Sequence, residues 1–266
     1  MNANTLSALL VTTCILLPSM AHASAPPPAF SPEQEARIGE IAADYLVAHP
    51  DILVTVSRKL QAQQLARQQQ QSALRVIALQ AGLLQDPDTP VVGPDHASVA
   101  VITFFDYQCV FCSRFTPALE AVMKAQPDVR YVFKEWPIFG NRWHESLQAA
   151  QTGLSVWKQN GPQAYLTYHN AVYATGHHEG QLTANDIRDA ARQAGFTATA
   201  PDEHRSALAK NSALAEGLGL TGTPGIIVMP VSGASPDTIT VFPEAVTAEK
   251  LQAAIQKASG TPSVVR

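Results

Sequence analysis

Two of the three cysteines in the 266-residue chain stand three apart, in Cys109-Val110-Phe111-Cys112. A disulfide between them closes too small a loop to add much chain-entropy stabilisation. Its value is therefore chemical. Thiol–disulfide exchange needs an exposed thiolate to attack and a second thiol near enough to resolve the mixed disulfide. At a helix start, unpaired N–H groups and the macrodipole favour an anion, which assigns attack to Cys109. Cys112, one turn in, is expected to be more buried and to resolve. Zinc is the competing use of such a pair, but it requires two further ligands. The third cysteine, Cys14, lies in an N-terminal apolar run, and His177-His178 reads as a solvated Gly-flanked loop.

A second signal is Thr221-Gly222-Thr223-Pro224-Gly225, directly before the apolar run Ile226–Met229. A proline at a strand start is tolerated because that position need not donate to the ladder. Alone, Thr-Pro there is an ordinary turn. Behind a Cys-x-x-Cys unit, a cis Thr223-Pro224 bond is the favoured reading. It would place the Thr223 backbone beside the sulfurs, where an extended client segment could pair with it as an added strand.

The elements around these residues follow from periodicity. Ser98–Phe105 is β-branched and aromatic throughout, a strand buried on both faces. A helix is expected over Cys109–Ala125, with Phe115, Leu119 and Val122 inward, and a second strand over Val129–Glu135. From about 139 to 217 the pattern is helical: Trp143–Gln159, Gln163–Thr175, Ala184–Ala194 with Thr183 as N-cap, and Asp202–Gly217. Strands return at Ile226–Met229 and Thr238–Phe242, and Ala248–Ala258 closes the chain as an amphipathic helix. The fold class is α/β: a thioredoxin fold with an inserted helical domain. Trp136, Trp143 and Trp157 are expected in core or interdomain packing.

Ahead of this lies a helical arm. Ser31-Pro32-Glu33-Gln34 supplies an N-cap, a proline at the first helical position and a capping-box glutamine. Ile38, Ile41, Tyr45 and Leu46 recur at helical spacing up to His49-Pro50, and a second helix carries Leu53, Val56 and Leu60 into the polar tract Gln61–Gln71. So thin an apolar stripe forms no core of its own and must pack on itself, on the second domain or on another copy of the chain. Self-association through residues 31–86 is the expected use. Asp86-Pro87-Asp88-Thr89-Pro90 marks the boundary, giving an arm over 24–88 and a thioredoxin domain over 89–266.

Residues 1–23 read as a signal peptide: Leu6–Leu17 has the length of an h-region, and Ala21-His22-Ala23 is a small-x-small cleavage site. The n-region departs from pattern in carrying no Lys or Arg. Cleavage would discard Cys14 and leave the pair in an oxidising compartment. The full 266-residue chain is 46% hydrophobic and 15% charged with net charge −4, which argues against a nucleic-acid binder. No cofactor or metal is expected.

Phe104-Phe105-Asp106-Tyr107-Gln108-Cys109-Val110-Phe111-Cys112 resembles the active-site stretch of the periplasmic DsbA-like oxidoreductases. Lys134-Glu135-Trp136-Pro137-Ile138-Phe139-Gly140 is similar to their next strand and its exit, and Thr221–Gly225 to their cis-proline loop. Tyr45-Leu46 and His49-Pro50-Asp51-Ile52-Leu53 resemble the N-terminal arms of the ScsC and Com1-type branch. The resemblance covers about residues 31–258. It implies disulfide exchange at Cys109 and Cys112, client binding at Thr223 and Pro224, and self-association through the arm.

Three departures from that family matter. Val110 stands where proline is common. Neither Val110 nor Phe111 supplies a donor or charge, so Cys109 is expected to be less acidic than the extreme DsbA case at about 3.5. Thr103 stands where a buried glutamate six residues before the first cysteine is frequent. That removes a carboxylate able to relay protons to the resolving thiol and leaves Lys134 an exposed strand lysine without a partner. Asp106 is a weak substitute, because strand alternation points it away from Thr103.

The leading expectation is a periplasmic thiol–disulfide oxidoreductase acting on secreted protein thiols and disulfides, oligomeric if an isomerase, and served by a membrane redox partner. The alternative is a non-enzymatic periplasmic chaperone or metal-handling protein on the same scaffold.

Overall fold

The computed structural model describes residues 29–197 and 204–260. The expected signal peptide over 1–23 and the start of the helix expected at Asp202 lie outside the described residues. The chain forms two compact units, one up to Lys59 and one from Leu60 onward.

In the first unit, α1 (Pro32–Ala48) begins at the expected capping box: the Gln34 N–H donates to Ser31 Oγ while Gln34 Oε1 accepts from the Ser31 N–H. It stops at His49-Pro50, and α2 (Asp51–Ala78) follows. No α1 residue is buried. Ile38, Ile41 and Tyr45 of α1, and Leu53, Val54 and Val56 of α2, are all about half exposed.

In the second unit, a five-stranded sheet has the order β1-β3-β2-β4-β5, with β1 (Val91–Val92), β2 (Val99–Phe105), β3 (Arg130–Glu135), β4 (Gly225–Pro230) and β5 (Thr240–Phe242). Strand β2 runs parallel to β3 and antiparallel to β4, pairing Thr103 with Phe133 on one side and Ile226 on the other. All seven β2 residues are buried, as expected of a central strand.

Alternation sends Val99, Val101 and Phe105 into one core with α4 (Val110–Ala125), α5 (His144–Ala174), α6 (Ala184–Gln193) and α8 (Ala248–Ala258). Ala100, Ile102 and Phe104 join the opposite core with Ala73 and Val76, with Leu83 and Leu84 of α3 (Gln80–Leu84), and with α7 (Arg205–Leu218). Each fully buried Val, Ile, Leu or Phe side chain among these contributes about 1.5–3 kcal/mol.

The last two thirds of α2, from Leu60, and all of α3 are thus part of the sheet-bearing unit, where Ala73, Val76, Leu83 and Leu84 bury against the sheet. The arm as a separate unit is shorter than the expected 24–88. The helices expected over 143–159 and 163–175 are the two halves of α5, which is broken at Gly161, whose φ of 80° before Pro162 is non-helical. The expected strand over 238–242 is only Thr240–Phe242, and the two-residue edge strand β1 was not foreseen. Trp136 packs edge-on against Phe104 in the sheet core, and Trp157 packs against the other core. Among the described residues no helix is long and apolar enough to cross a membrane.

Candidate functional site

Helix α4 starts where β2 ends, and Cys109 is its N-cap. The Cys112 N–H donates to Cys109 Sγ at 3.4 Å, so the sulfur takes the place a serine or aspartate oxygen usually fills. Across from it the Thr223-Pro224 peptide is cis, as expected, and the Thr223 carbonyl oxygen lies 3.2 Å from Cys109 Sγ. Both cysteines are free thiols.

The two thiols are pushed apart in acidity. Hydrogen bonding from Cys112 holds Cys109 at about 6, with burial opposing it and the Thr223 side chain and the Cys112 and Phe111 amides assisting. Burial pushes Cys112 well above the ordinary thiol value, reinforced by Cys109. Cys109 is thus a thiolate at neutral pH without the acidity of the most extreme relatives. The expected exposure of the attacker is not found, because Cys109 is only 4% exposed, scarcely more open than Cys112 at 3%. The Thr223 carbonyl sits over its sulfur. Phe111, between them, is exposed, with the Arg114 guanidinium 5.7 Å from its ring centre.

Asp106 anchors the turn rather than serving the sulfurs. Its Oδ1 accepts from the Gln108 N–H, and its Oδ2 accepts from the Phe139 N–H and the Ser146 hydroxyl. Burial raises it, against those hydrogen bonds. Gln108 is clamped in turn: its carbonyl accepts from the Glu179 N–H and its Oε1 from the Gly180 N–H. The His177-His178 loop, read from sequence as merely solvated, therefore docks its next two residues on the residue preceding the nucleophile. His177 itself is exposed and pairs with Asp186 at 3.0 Å.

Lys134 corrects the sequence reading. It is fully buried, and its ammonium donates to Asp86 Oδ2 at 3.0 Å and Thr89 Oγ1 at 2.6 Å. The partner comes from the segment read as a bare boundary. Asp88 in that segment pairs with Lys158 and Lys210 at 2.8 and 3.1 Å.

The next residue was missed altogether. Glu135 is fully buried, and its Oε1 accepts from the Tyr107 hydroxyl at 3.1 Å and the Tyr165 hydroxyl at 2.9 Å. Burial pushes this carboxyl well above the usual carboxylate range despite both donors. Gly153 makes room for it, since a Cβ there would stand 2.8 Å from Oε1. The Tyr107 oxygen also lies 3.4 Å from Nδ1 of His169, whose ring burial holds at about 3 and therefore neutral. A signal existed in the sequence: Tyr165, Tyr168, His169, Val172 and Tyr173 form one helical stripe, unusually polar-tipped for a core face.

A central β2 that ends in a dithiol helix cap, faced by a cis Thr-Pro bond, defines a thioredoxin-fold dithiol protein. The chain belongs to the thioredoxin family, whose model matches residues 85–257, and residues 34–71 match the N-terminal domain of the copper resistance protein ScsC. It is 40% identical to the solved BcfH of Salmonella enterica Typhimurium, with a TM-score of 0.71, over 86% of this chain and 97% of that one. A linker-deletion mutant of Proteus mirabilis ScsC is 25% identical with a TM-score of 0.60, over 88% of this chain and 99% of that one. A thioredoxin-like oxidoreductase of Silicibacter pomeroyi is 29% identical with a TM-score of 0.56, over 68% and 98%. Among curated proteins, a Na(+)/H(+) antiporter NhaA 1 of Salinispora arenicola is 28% identical over 103 residues, 38% of this chain. The chain spans only 15% of the length of that relative.

Proposed function

We propose that this chain is a periplasmic thiol–disulfide oxidoreductase acting on secreted proteins. The observation that carries the reading is the asymmetry of the pair: a helix-capping Cys109 held at about 6 beside a Cys112 pushed far up. Cys109 thiolate attacks a client disulfide, one client sulfur leaves as thiolate, and a Cys109–client disulfide forms. Cys112 then loses its proton, attacks Cys109 Sγ and releases the second client sulfur. The reverse sequence donates a disulfide. Thr223 and Pro224, facing Cys109, seat the client backbone. The family match and the 29% identity to the thioredoxin-like oxidoreductase of Silicibacter pomeroyi support the same reading.

The acidity of Cys109 sets the first test. Alkylation of Cys109 in the reduced protein should titrate with a midpoint near 6, falling about tenfold per pH unit below it, where an ordinary thiol titrates near 9. The sign follows: the lowered thiol stabilises the reduced fold above the unfolded thiol value, and that contribution is lost as pH falls through about 6. A midpoint at 8 or above would remove the basis for Cys109 as attacker.

The arm supplies the oligomer. Ile38, Ile41 and Tyr45 recur along one face of α1, and Leu53 and Val56 along α2, all exposed and apolar, at a spacing suited to packing against another copy. Several active sites held in one assembly suit an isomerase, which must hold a client while its bonds reshuffle. A monomer re-oxidised by a membrane partner suits an oxidase. Ile41→Asp with Leu53→Asp should reduce the mass in solution to that of one chain and end repair of scrambled disulfides. Cys109 alkylation should be unaffected. A monomeric parent protein would favour the oxidase.

A further inference from the structure

Cys112 must shed a proton each time it resolves a mixed disulfide and regain one each time it leaves, yet it is buried and Thr103 offers it no carboxylate. A small cavity of about 10 Å³, the size of one water, lies beside it. Thr103, Cys112, Thr116, His169, Tyr173 and Pro224 are among its lining residues. On the far side of His169 stand the Tyr107 hydroxyl at 3.4 Å and, beyond it, Glu135 Oε1 at 3.1 Å. Glu135 Oε2, though buried, has no hydrogen-bond partner among the described residues. A carboxyl fully withdrawn from water with an oxygen unsatisfied is costly to the fold, and its retention calls for a use.

We propose that Glu135, Tyr107 and His169 form a proton relay that serves Cys112 through this cavity. The inference rests on the oxidoreductase reading above. In resolution, the Cys112 thiol proton passes by way of a cavity water to His169 Nε2. His169 Nδ1–H passes to Tyr107 Oη, and the Tyr107 proton to Glu135 Oε1. Cys112 Sγ attacks Cys109 Sγ, the Cys109–client bond breaks, and its electron pair leaves on the client sulfur, which takes a proton from solvent. Tyr107 and His169 end neutral, with the histidine proton moved from Nδ1 to Nε2, and Glu135 ends as the acid. When a client thiolate attacks the Cys109–Cys112 disulfide, each transfer reverses and Cys112 leaves as a thiol.

The surroundings suit the task. The groups facing Glu135 are Tyr107 and Asp106 from the end of β2 and its turn, and Tyr165 and Tyr168 from α5; no cation is among the groups that shift it. Burial raises Glu135, so only its carboxylate form, reached as pH rises, accepts the Cys112 proton, and it then holds that proton firmly. The His169 ring is held edge-on by Phe105 and Tyr173 at 4.8 and 5.0 Å, which fixes which nitrogen meets Tyr107. Glu135 and Tyr107 touch no reacting sulfur and act as positioning residues.

The test uses the full chain and glutathione. The reduced protein is mixed with oxidised glutathione, and the second glutathione, released when Cys112 resolves the Cys109 mixed disulfide, is followed against pH. In the parent protein this release should level off once Glu135 is ionised. In Glu135→Gln and Tyr107→Phe it should be on the order of a hundredfold slower where the parent levels off and rise about tenfold per pH unit, following the bare Cys112 thiolate. Parent-like rates and pH profiles in folded variants would overturn the relay while leaving the oxidoreductase reading intact. Failure of Cys109 to form the mixed disulfide at all would overturn the oxidoreductase reading itself. Should the variants not fold, release by the parent protein in mixtures of light and heavy water decides. A curved dependence, meaning several protons in flight, supports the relay, and a linear or absent one overturns it.

Discussion

Cys109→Ser is expected to abolish disulfide exchange altogether, whereas Cys112→Ser leaves a protein that attacks clients once and stays bound to them. The difference follows from the separate environments of the two sulfurs. Cys109 caps α4 and receives the Cys112 N–H, so its thiolate is populated at neutral pH. A serine oxygen there accepts the same hydrogen bond and keeps the helix capped, but it cannot form the mixed disulfide. Cys112 is raised by burial and supplies the second step only. Non-reducing electrophoresis with a reduced or scrambled client checks both. The Cys112→Ser protein should accumulate a band at the combined mass that collapses on reduction, and Cys109→Ser should give none. Retained turnover in Cys109→Ser would sink the assignment of roles.

The second large effect is on stability. Asp86→Ala should cost about 3–5 kcal/mol, because it strands the Lys134 ammonium in the core with only Thr89 for company. The cost is asymmetric. Asp86→Ala with Lys134→Met should recover most of the loss, since no unpaired buried charge then remains. Urea midpoints at constant slope separate the cases, and equal losses in the single and double variants would refute this account. The pH dependence has a defined sign. Although burial pushes Asp86 up, hydrogen bonds from the Asp88 amide, Thr89 and Lys134 hold it below the usual carboxylate range. Its contribution is complete above the unfolded carboxylate value and lost as pH falls through the lower folded one, so parent and variant should converge in acid.

The two large effects differ in how far the sequence announces them. Cys109 and Cys112 declare themselves by local spacing, Thr223-Pro224 by its place before a strand, and Ser98–Phe105 by an unbroken apolar run that only a central strand can bury. All three are patterns within a dozen residues. Lys134 and Asp86 are 48 residues apart, and neither has a neighbour that marks it as half of a pair. Strand alternation alone leaves Lys134 equally able to face solvent, and the end of α2, α3 and α7, which cover that side of the sheet, come from distant parts of the sequence. Glu135 is harder still, because its donors Tyr107 and Tyr165 come from a turn and from the inserted helices. β1 was unreadable because two residues carry no alternation. The arm boundary misled because Asp86–Pro90 has the composition of a linker while its aspartates make buried and bridging ion pairs.

Gln108 has one more consequence. Its carbonyl and its side-chain oxygen are both held by the loop at Glu179 and Gly180. The inserted helices and the sulfur-bearing turn are therefore stitched together at the residue touching the nucleophile, and the insertion cannot swing away without breaking both stitches. On the proposed oxidoreductase reading, clients would then be selected by the side chains around a sulfur whose turn is held in place, and changes to those side chains would alter what is accepted while the sulfur stays where it is.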